Sequence, residues 1–331
     1  MKPFTYVRAA SISEAINESG ICSTKYLAGG TNLIDLMREG IERPERVIDV
    51  SHLPLAGIYD LPDGGLRLGA TTRNSHVARD WRVRRRYPML ARAILLSASP
   101  QVRNRATVGG NLMQRTRCPY FYDQASACNK REPGRGCDAI GGFNRMHAIL
   151  GASDHCIAVH PSDMCVALVA LDAIVQVEGP REFRRSIRLA DFHRPPSNTP
   201  HIETVLAADE LITSVDLPPP THGRSLYVKV RDRASFAFAL VSLGVLLEVT
   251  RGRTKSARIV LGGVAHKPWR SQAAEDLLVG ERAEQEVFQR AADKALREAR
   301  TYPYNAFKLG LAKRLILRTL EDLAADSGDK S

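Results

Sequence analysis
The 331-residue chain is short of acidic side chains, with 36 Asp and Glu against 47 Lys and Arg. A basic surplus makes nucleic acid the first suspect, but the other marks of such binding are missing. The densest basic runs, Arg82–Arg86 and Arg181–Arg188, are poor in aromatics that could stack on bases, and no helix-turn-helix or zinc-finger spacing occurs. These charges read instead as a solvated surface or a docking face for an acidic subunit. Also absent is any unbroken apolar run of about 20 residues, so no bilayer-crossing helix is expected; Phe236–Val249 is too short and too interrupted. Met1–Ala10 lacks the apolar stretch of a secretory signal, so no export address of the chain's own is expected. There is no internal repeat and no low-complexity tract.

What is present is ordinary globular composition, 44% hydrophobic and 25% charged, with length for two or three compact units. The opening reads as helix, strand, helix, strand. Ser11 and Glu14 cap a short helix that stops at Gly20, and a strand over Thr24–Ala28 leads through Gly29-Gly30-Thr31-Asn32 into a helix over Leu33–Arg38 and a strand over Arg46–Val50. A strand at Leu66–Ala70 and a helix through Leu90–Ser97 precede a second glycine turn at Gly109-Gly110. A long irregular stretch follows. Regular structure is expected again at His155–His160, in a helix over Asp163–Leu171, and in strands at Ile174–Val177 and Glu210–Leu217, before Pro218-Pro219-Pro220 breaks the chain. Strands at Leu226–Arg231, Phe238–Thr250 and Arg258–Gly263, then helices near Ser271–Val279, Glu284–Arg300 and Phe307–Ala325, make the whole α+β. The expected units are residues 1–60, 61–220 with an inserted loop at about 113–156, and 221–331.

Four of the six cysteines, Cys118, Cys128, Cys137 and Cys156, bracket the irregular stretch. A loop of that length needs something to nucleate it. Disulfides, a zinc site, an iron–sulfur cluster and free thiols all remain open. The chain is large enough for a core without disulfides, a zinc site usually includes a pair two to four residues apart, which is missing here, and a cluster tolerates wide spacing. Cys22 and Cys165 read as packed thiols.

No G-x-G-x-x-G fingerprint occurs, which weakens a Rossmann reading. Yet Leu27-Ala28-Gly29-Gly30-Thr31-Asn32-Leu33 lies between a strand and a helix, where backbone N–H groups can gather around a pyrophosphate. Ala106-Thr107-Val108-Gly109-Gly110-Asn111 could supply the facing wall. These two turns, with His160-Pro161-Ser162-Asp163 and Tyr227-Val228-Lys229-Val230-Arg231, resemble the FAD-binding subunits of the xanthine dehydrogenase and aldehyde oxidase family of molybdenum hydroxylases. Arg115-Thr116-Arg117-Cys118 and Ala127-Cys128-Asn129-Lys130 look most like the flavin subunit of bacterial periplasmic aldehyde oxidoreductases. The flavin subunit of 4-hydroxybenzoyl-CoA reductase is more distantly similar and also inserts a cysteine loop.

The resemblance implies a vanillyl-alcohol-oxidase-type FAD-binding fold of two α/β subdomains, followed by the α+β C-terminal domain of carbon monoxide dehydrogenase flavoproteins. It implies FAD against Tyr26, Leu27, Ala28, Gly29, Gly30, Thr31, Asn32, Leu33 and Ile34 on one side, and Thr107, Gly109, Gly110 and Asn111 on the other. Ser162 and Asp163 would meet FAD hydroxyls, Ile212 would supply an apolar wall and Lys229 would sit near the flavin. By the bland alternative, Asp163 caps the helix it opens and Lys229 is a solvated strand residue. Cys118, Cys128, Cys137 and Cys156 would hold a [4Fe-4S] cluster. No catalytic residue is expected. Electrons would come from a molybdopterin-containing large subunit and a [2Fe-2S] small subunit of a heterotrimer, with no nucleic acid or membrane involved, and pass through FAD to an external acceptor. The complex would be periplasmic by co-export with a signal-bearing partner, or cytoplasmic. Two features depart from NAD-reducing relatives: Ser235-Phe236-Ala237-Phe238 stands where they carry acidic residues, and Ser97 where they carry an aromatic. A stand-alone flavin oxidase and a zinc-stapled interaction module are the competing functions.

Overall fold
A computed structural model of the chain describes residues 1–21 and 23–325, so Cys22 lies outside the described residues. Three sheets organise it. In the first, Arg46–Asp49 runs parallel to both Thr5–Arg8 and Thr24–Leu27. Thr5–Arg8 carried no expected element; its residues are mostly exposed, so no apolar pattern marks it as a strand. The capped helix follows as Ile12–Ser19, where Ser11 Oγ accepts the Glu14 amide at 3.1 Å and the Glu14 carboxylate accepts the Ala10 amide at 2.7 Å.

The second sheet is antiparallel, in the order Ile58–Asp60, Leu66–Gly69, Leu211–Leu217, Ile174–Glu178, Arg184–Arg188. Its middle strand, Leu211–Leu217, is buried along nearly its whole length because both faces are covered. The edge strand Arg184–Arg188 falls in a basic run that carried no strand signal. Charged side chains on an edge keep it from pairing further, which is also what disguises it in the sequence. The third sheet is antiparallel, in the order Trp269–Arg270, Arg253–Gly262, Val241–Thr250, Arg224–Val230.

Every residue of the helix Asp163–Ala170 is buried, including Met164, Val166, Leu168 and Val169 at 0–2% exposure. A helix apolar on all sides must be covered on all sides. It packs on the helix Pro88–Leu96 and on the two long strands of the third sheet. A second core forms under that sheet against the helices Gln272–Leu278, Gln285–Ala295 and Phe307–Ala325. The middle of these ends at Ala295, earlier than Arg300. His155–His160 forms no regular strand: it is held singly, by the Ala148 amide on Ile157 O at 2.8 Å and the His160 amide on Ala265 O at 3.0 Å. Among the described residues, no helix is long and apolar enough to cross a membrane.

Candidate functional site
The two glycine turns face each other across a cleft of about 480 Å³. The first turn continues the strand Thr24–Leu27 into the helix Leu33–Arg38. Gly30 adopts φ +77°, a left-handed conformation that glycine reaches without strain. Gly29 is constrained by contact instead: a Cβ there would lie 2.2 Å from the Arg105 carbonyl oxygen, because the turns pack backbone to backbone.

Their hydrogen bonding differs. Among the described residues, the amides of Gly29, Gly30, Thr31 and Asn32 donate to no protein acceptor, so four adjacent free donors belong to residues that line the cleft. In the second turn the Val108, Gly109 and Asn111 amides are taken by Thr72, Ala70 and Thr107 carbonyls at 2.8–3.0 Å, and Gly110 by Thr107 Oγ1 at 3.2 Å. The first turn can cradle an anion; the second is a finished wall. Thr71 Oγ1 and Asn32 Nδ2, both lining the cleft, are buried without partners. Such donors fit a polar ligand such as a dinucleotide.

Tyr26 to Leu33, Thr107, Gly109, Gly110 and Ile212 all line this cleft. Ile34, Asn111 and Lys229 do not. Ile34 supports the first turn from behind, its amide on Gly30 O at 3.2 Å. Asn111 Oδ1 instead accepts from Ser162 Oγ at 2.5 Å and Gln114 at 2.9 Å. Ser162 caps the helix Asp163–Ala170 through the Cys165 amide, so Asp163 is not the cap. Asp163 accepts from Tyr227 at 2.5 Å and from Lys229 at 2.7 Å. Lys229 is thus no solvated strand residue, its side chain being 1% exposed. Burial raises the Asp163 carboxyl above its ordinary value against the pull of Lys229.

The deep end of the cleft is polar in a way the scattered sequence positions gave no sign of. Glu203 accepts from Lys130 at 2.6 Å and Arg115 at 2.5 Å, and Arg115 also pairs with Glu42 at 2.6 Å. Burial alone would raise the Glu203 carboxyl, but the two cations hold it down at about 2. His193 and His266 are pushed down by burial to about 4 and about 3, so both imidazoles are neutral at physiological pH. Arg115 also donates its amide to Asn32 Oδ1 at 2.9 Å, tying the segment before Cys118 to the first glycine turn.

That segment opens the cysteine loop, where all four cysteines are free thiols. The backbones of Cys128 and Cys137 pair in a single antiparallel β-bridge. Interaction with Cys156 lowers the Cys137 thiol to about 6, and the same interaction raises Cys156. Cys118, pushed up to about 12 by burial, feels the charges of Cys128 and Cys137. Each of the four thiols thus interacts electrostatically with at least one other. Yet among the described residues no three of them gather within 4.8 Å; the group that does is His160, Cys165 and His193. Cys165 is otherwise a fully buried core residue. A smaller cavity of about 150 Å³, lined by Cys118, His147, Ser162 and Asp163, shares Thr116, Val159 and His160 with the large cleft. The loop also orders itself better than its composition suggests. Asn129 Oδ1 accepts the Gly134 and Gly136 amides at 3.1 and 2.8 Å, Arg131 donates to the Tyr120, Phe121 and Asp123 carbonyls, and Ile149 and Leu150 enter the C-terminal core.

Residues 2–220 match the family described as FAD binding domain in molybdopterin dehydrogenase, and residues 226–323 match the CO dehydrogenase flavoprotein C-terminal domain. The chain is 50% identical over 328 residues to the aldehyde oxidoreductase FAD-binding subunit PaoB of Escherichia coli K12, covering 99% of this chain and 100% of that one. It is 25% identical over 292 residues to the glyceraldehyde dehydrogenase medium chain of Sulfolobus acidocaldarius, covering 88% and 86%. Among solved structures, carbon monoxide dehydrogenase from Hydrogenophaga pseudoflava superposes with a TM-score of 0.77 at 25% identity, over 98% of this chain and 99% of that one. With two glycine turns enclosing a cleft and both family matches spanning nearly its full length, this chain belongs to the FAD-binding flavin subunits of molybdenum hydroxylases of the aldehyde oxidoreductase and xanthine dehydrogenase type.

Proposed function
We propose that the chain is the electron-transfer subunit of a molybdenum-dependent aldehyde oxidoreductase, and that it holds a [4Fe-4S] cluster on Cys118, Cys128, Cys137 and Cys156 beside its FAD. Substrate is oxidised on a molybdopterin-containing large subunit, and a [2Fe-2S] small subunit completes a heterotrimer. Bound FAD supplies a group that takes electrons singly and passes on two. Around it, this chain's own residues bind and orient: the free amides of residues 29–32 hold the pyrophosphate, Thr107, Gly109 and Gly110 back it, and Ile212 closes an apolar side. The Asp163–Lys229 pair stands at the neighbouring cavity with Ser162. Ser235–Phe238 brings no acidic residue to this region, which favours an external acceptor other than NAD. We also propose boundaries near residues 60 and 220 for the two FAD subdomains and the C-terminal unit, and periplasmic residence by co-export.

The mutual electrostatic coupling of the four thiols, with Cys118 at the cavity beside the flavin cleft, carries the cluster reading. In a zinc tetrahedron with Zn–S bonds of about 2.3 Å, the sulfurs would stand roughly 3.8 Å apart. A spread wider than 4.8 Å disfavours that reading and suits a cube with separated iron corners. The test is iron and acid-labile sulfide analysis of the single Cys→Ser variants at 118, 128, 137 and 156, with Cys165→Ser as control. Roughly four irons per chain, lost in the four and kept in the control, is the expected outcome. A colourless, zinc-containing protein would overturn it.

A further inference from the structure
His147 stands out among groups that the flavin site does not use. Its Nε2 lies 3.1 Å from Cys118 Sγ, its Nδ1 is buried without a partner, and the residue is 2% exposed. Its backbone is clamped. Lys308 Nζ donates to His147 O at 2.9 Å and to Gly263 O at 2.8 Å, and Asn305 donates to Ala148 O at 3.1 Å. Lys308 is fully buried, and among the described residues no carboxylate pairs with it. Burial, then the nearby Arg145 charge, pushes its ammonium down to about 7, because carbonyl dipoles alone answer it; negative charge standing nearby would hold it protonated. Lys130, on the other side of the loop, is buried too and acts electrostatically on Cys156.

We infer that His147 is a positioning residue that sets the reduction potential of the cluster, by donating an Nε2–H hydrogen bond to the Cys118 sulfur, with Lys308 holding the His147 backbone and supplying countercharge. This rests on the [4Fe-4S] reading. A cysteine sulfur bound to iron carries no proton, so the imidazole nitrogen facing it must be the donor, which leaves the partnerless Nδ1 unprotonated. Adding one electron turns the tetrathiolate cluster from a dianion to a trianion, with no bond made or broken. A donor on the sulfur and a nearby ammonium stabilise the more negative state, and hydrogen bonds to the sulfurs are among the features that set such potentials. The pair therefore raises the potential.

The experiment uses the full chain purified with its partner subunits, and reads iron content and the cluster's midpoint potential by EPR-monitored redox titration. His147→Leu should keep its iron and shift the reduced-to-oxidised ratio at fixed poise about tenfold toward oxidised, equivalent to about 59 mV for one electron. His147→Gln, which retains an N–H donor, should recover most of that shift, and Lys308→Met should move the potential in the same direction as His147→Leu. An iron-replete His147→Leu protein with an unchanged potential overturns the inference. If that variant loses its iron, His147→Gln decides: a wild-type potential supports the donor role, and a tenfold displacement overturns it. Wild-type protein without iron would instead sink the cluster reading itself.

Discussion

Glu203 joins the cysteine loop to the flavin cleft, and its removal gives a measurable quantity. Its carboxyl is held at about 2 against an ordinary 4.5. At about 1.36 kcal/mol per pKa unit that difference corresponds to ~3 kcal/mol, an upper figure because the side chain is 24% exposed. Glu203→Gln keeps the shape but strips Lys130 of its carboxylate, leaving an ammonium whose side chain is 1% exposed. At this chain length roughly 2 °C is lost per kcal/mol, so Tm should fall by about 6 °C. Calorimetry at pH 7 with saturating FAD separates this from loss of flavin. The sign with pH follows from the depressed value. The stabilisation is fully present above 4.5 and is lost as pH falls toward 2, so the gap between wild type and Glu203→Gln should narrow by about 1.4 kcal/mol per unit below pH 4.5. Adding Lys130→Met to Glu203→Gln should cost less than Lys130→Met alone, a coupling of about 1 kcal/mol or more. An unchanged Tm at pH 7, or a gap that widens on acidification, would refute the reasoning.

Gly29→Ala should weaken FAD binding at least about tenfold in fluorescence titration, because its methyl meets the Arg105 carbonyl and must part the turns; full affinity would mean that the turns can separate freely. Asp163→Asn leaves Lys229 buried beside a neutral amide and should cost about 3 kcal/mol in urea unfolding, whereas a loss below 1 kcal/mol would show that the pair is not held as described. Acid precipitation should release all flavin to the supernatant, since no histidine or cysteine stands at a tethering position in the glycine turns; yellow colour in the pellet would contradict this.

Much of this was legible in the sequence because it follows local rules. The capping box at Ser11, the strand and helix around Gly29-Gly30, and the apolar run at Asp163 each declare themselves within a few residues. The cleft lining was legible from resemblance for Tyr26–Leu33, Thr107, Gly109, Gly110 and Ile212. What escaped depends on pairs far apart in the chain. Glu203 meets Lys130 across 73 positions and Lys308 meets His147 across 161, and no periodicity signals such partners. The free amides of the first turn and the occupied ones of the second are likewise invisible in two similar glycine pairs. The edge strands Thr5–Arg8 and Arg184–Arg188 were missed because exposure removes the apolar alternation that marks a strand.

The helix Asp163–Ala170 gives its Met164, Val166 and Leu168 side chains to the core of the flavin-binding region while packing on the long strands of the C-terminal sheet. Neither region can open without stripping that helix of half its cover. The two family-matched regions should therefore melt as a single cooperative unit, and a protease cut at the tri-proline segment would leave fragments that stay associated until denatured. Evolution cannot exchange one region without re-fitting the other, which makes the C-terminal unit an integral part of the flavoprotein and not an appended module.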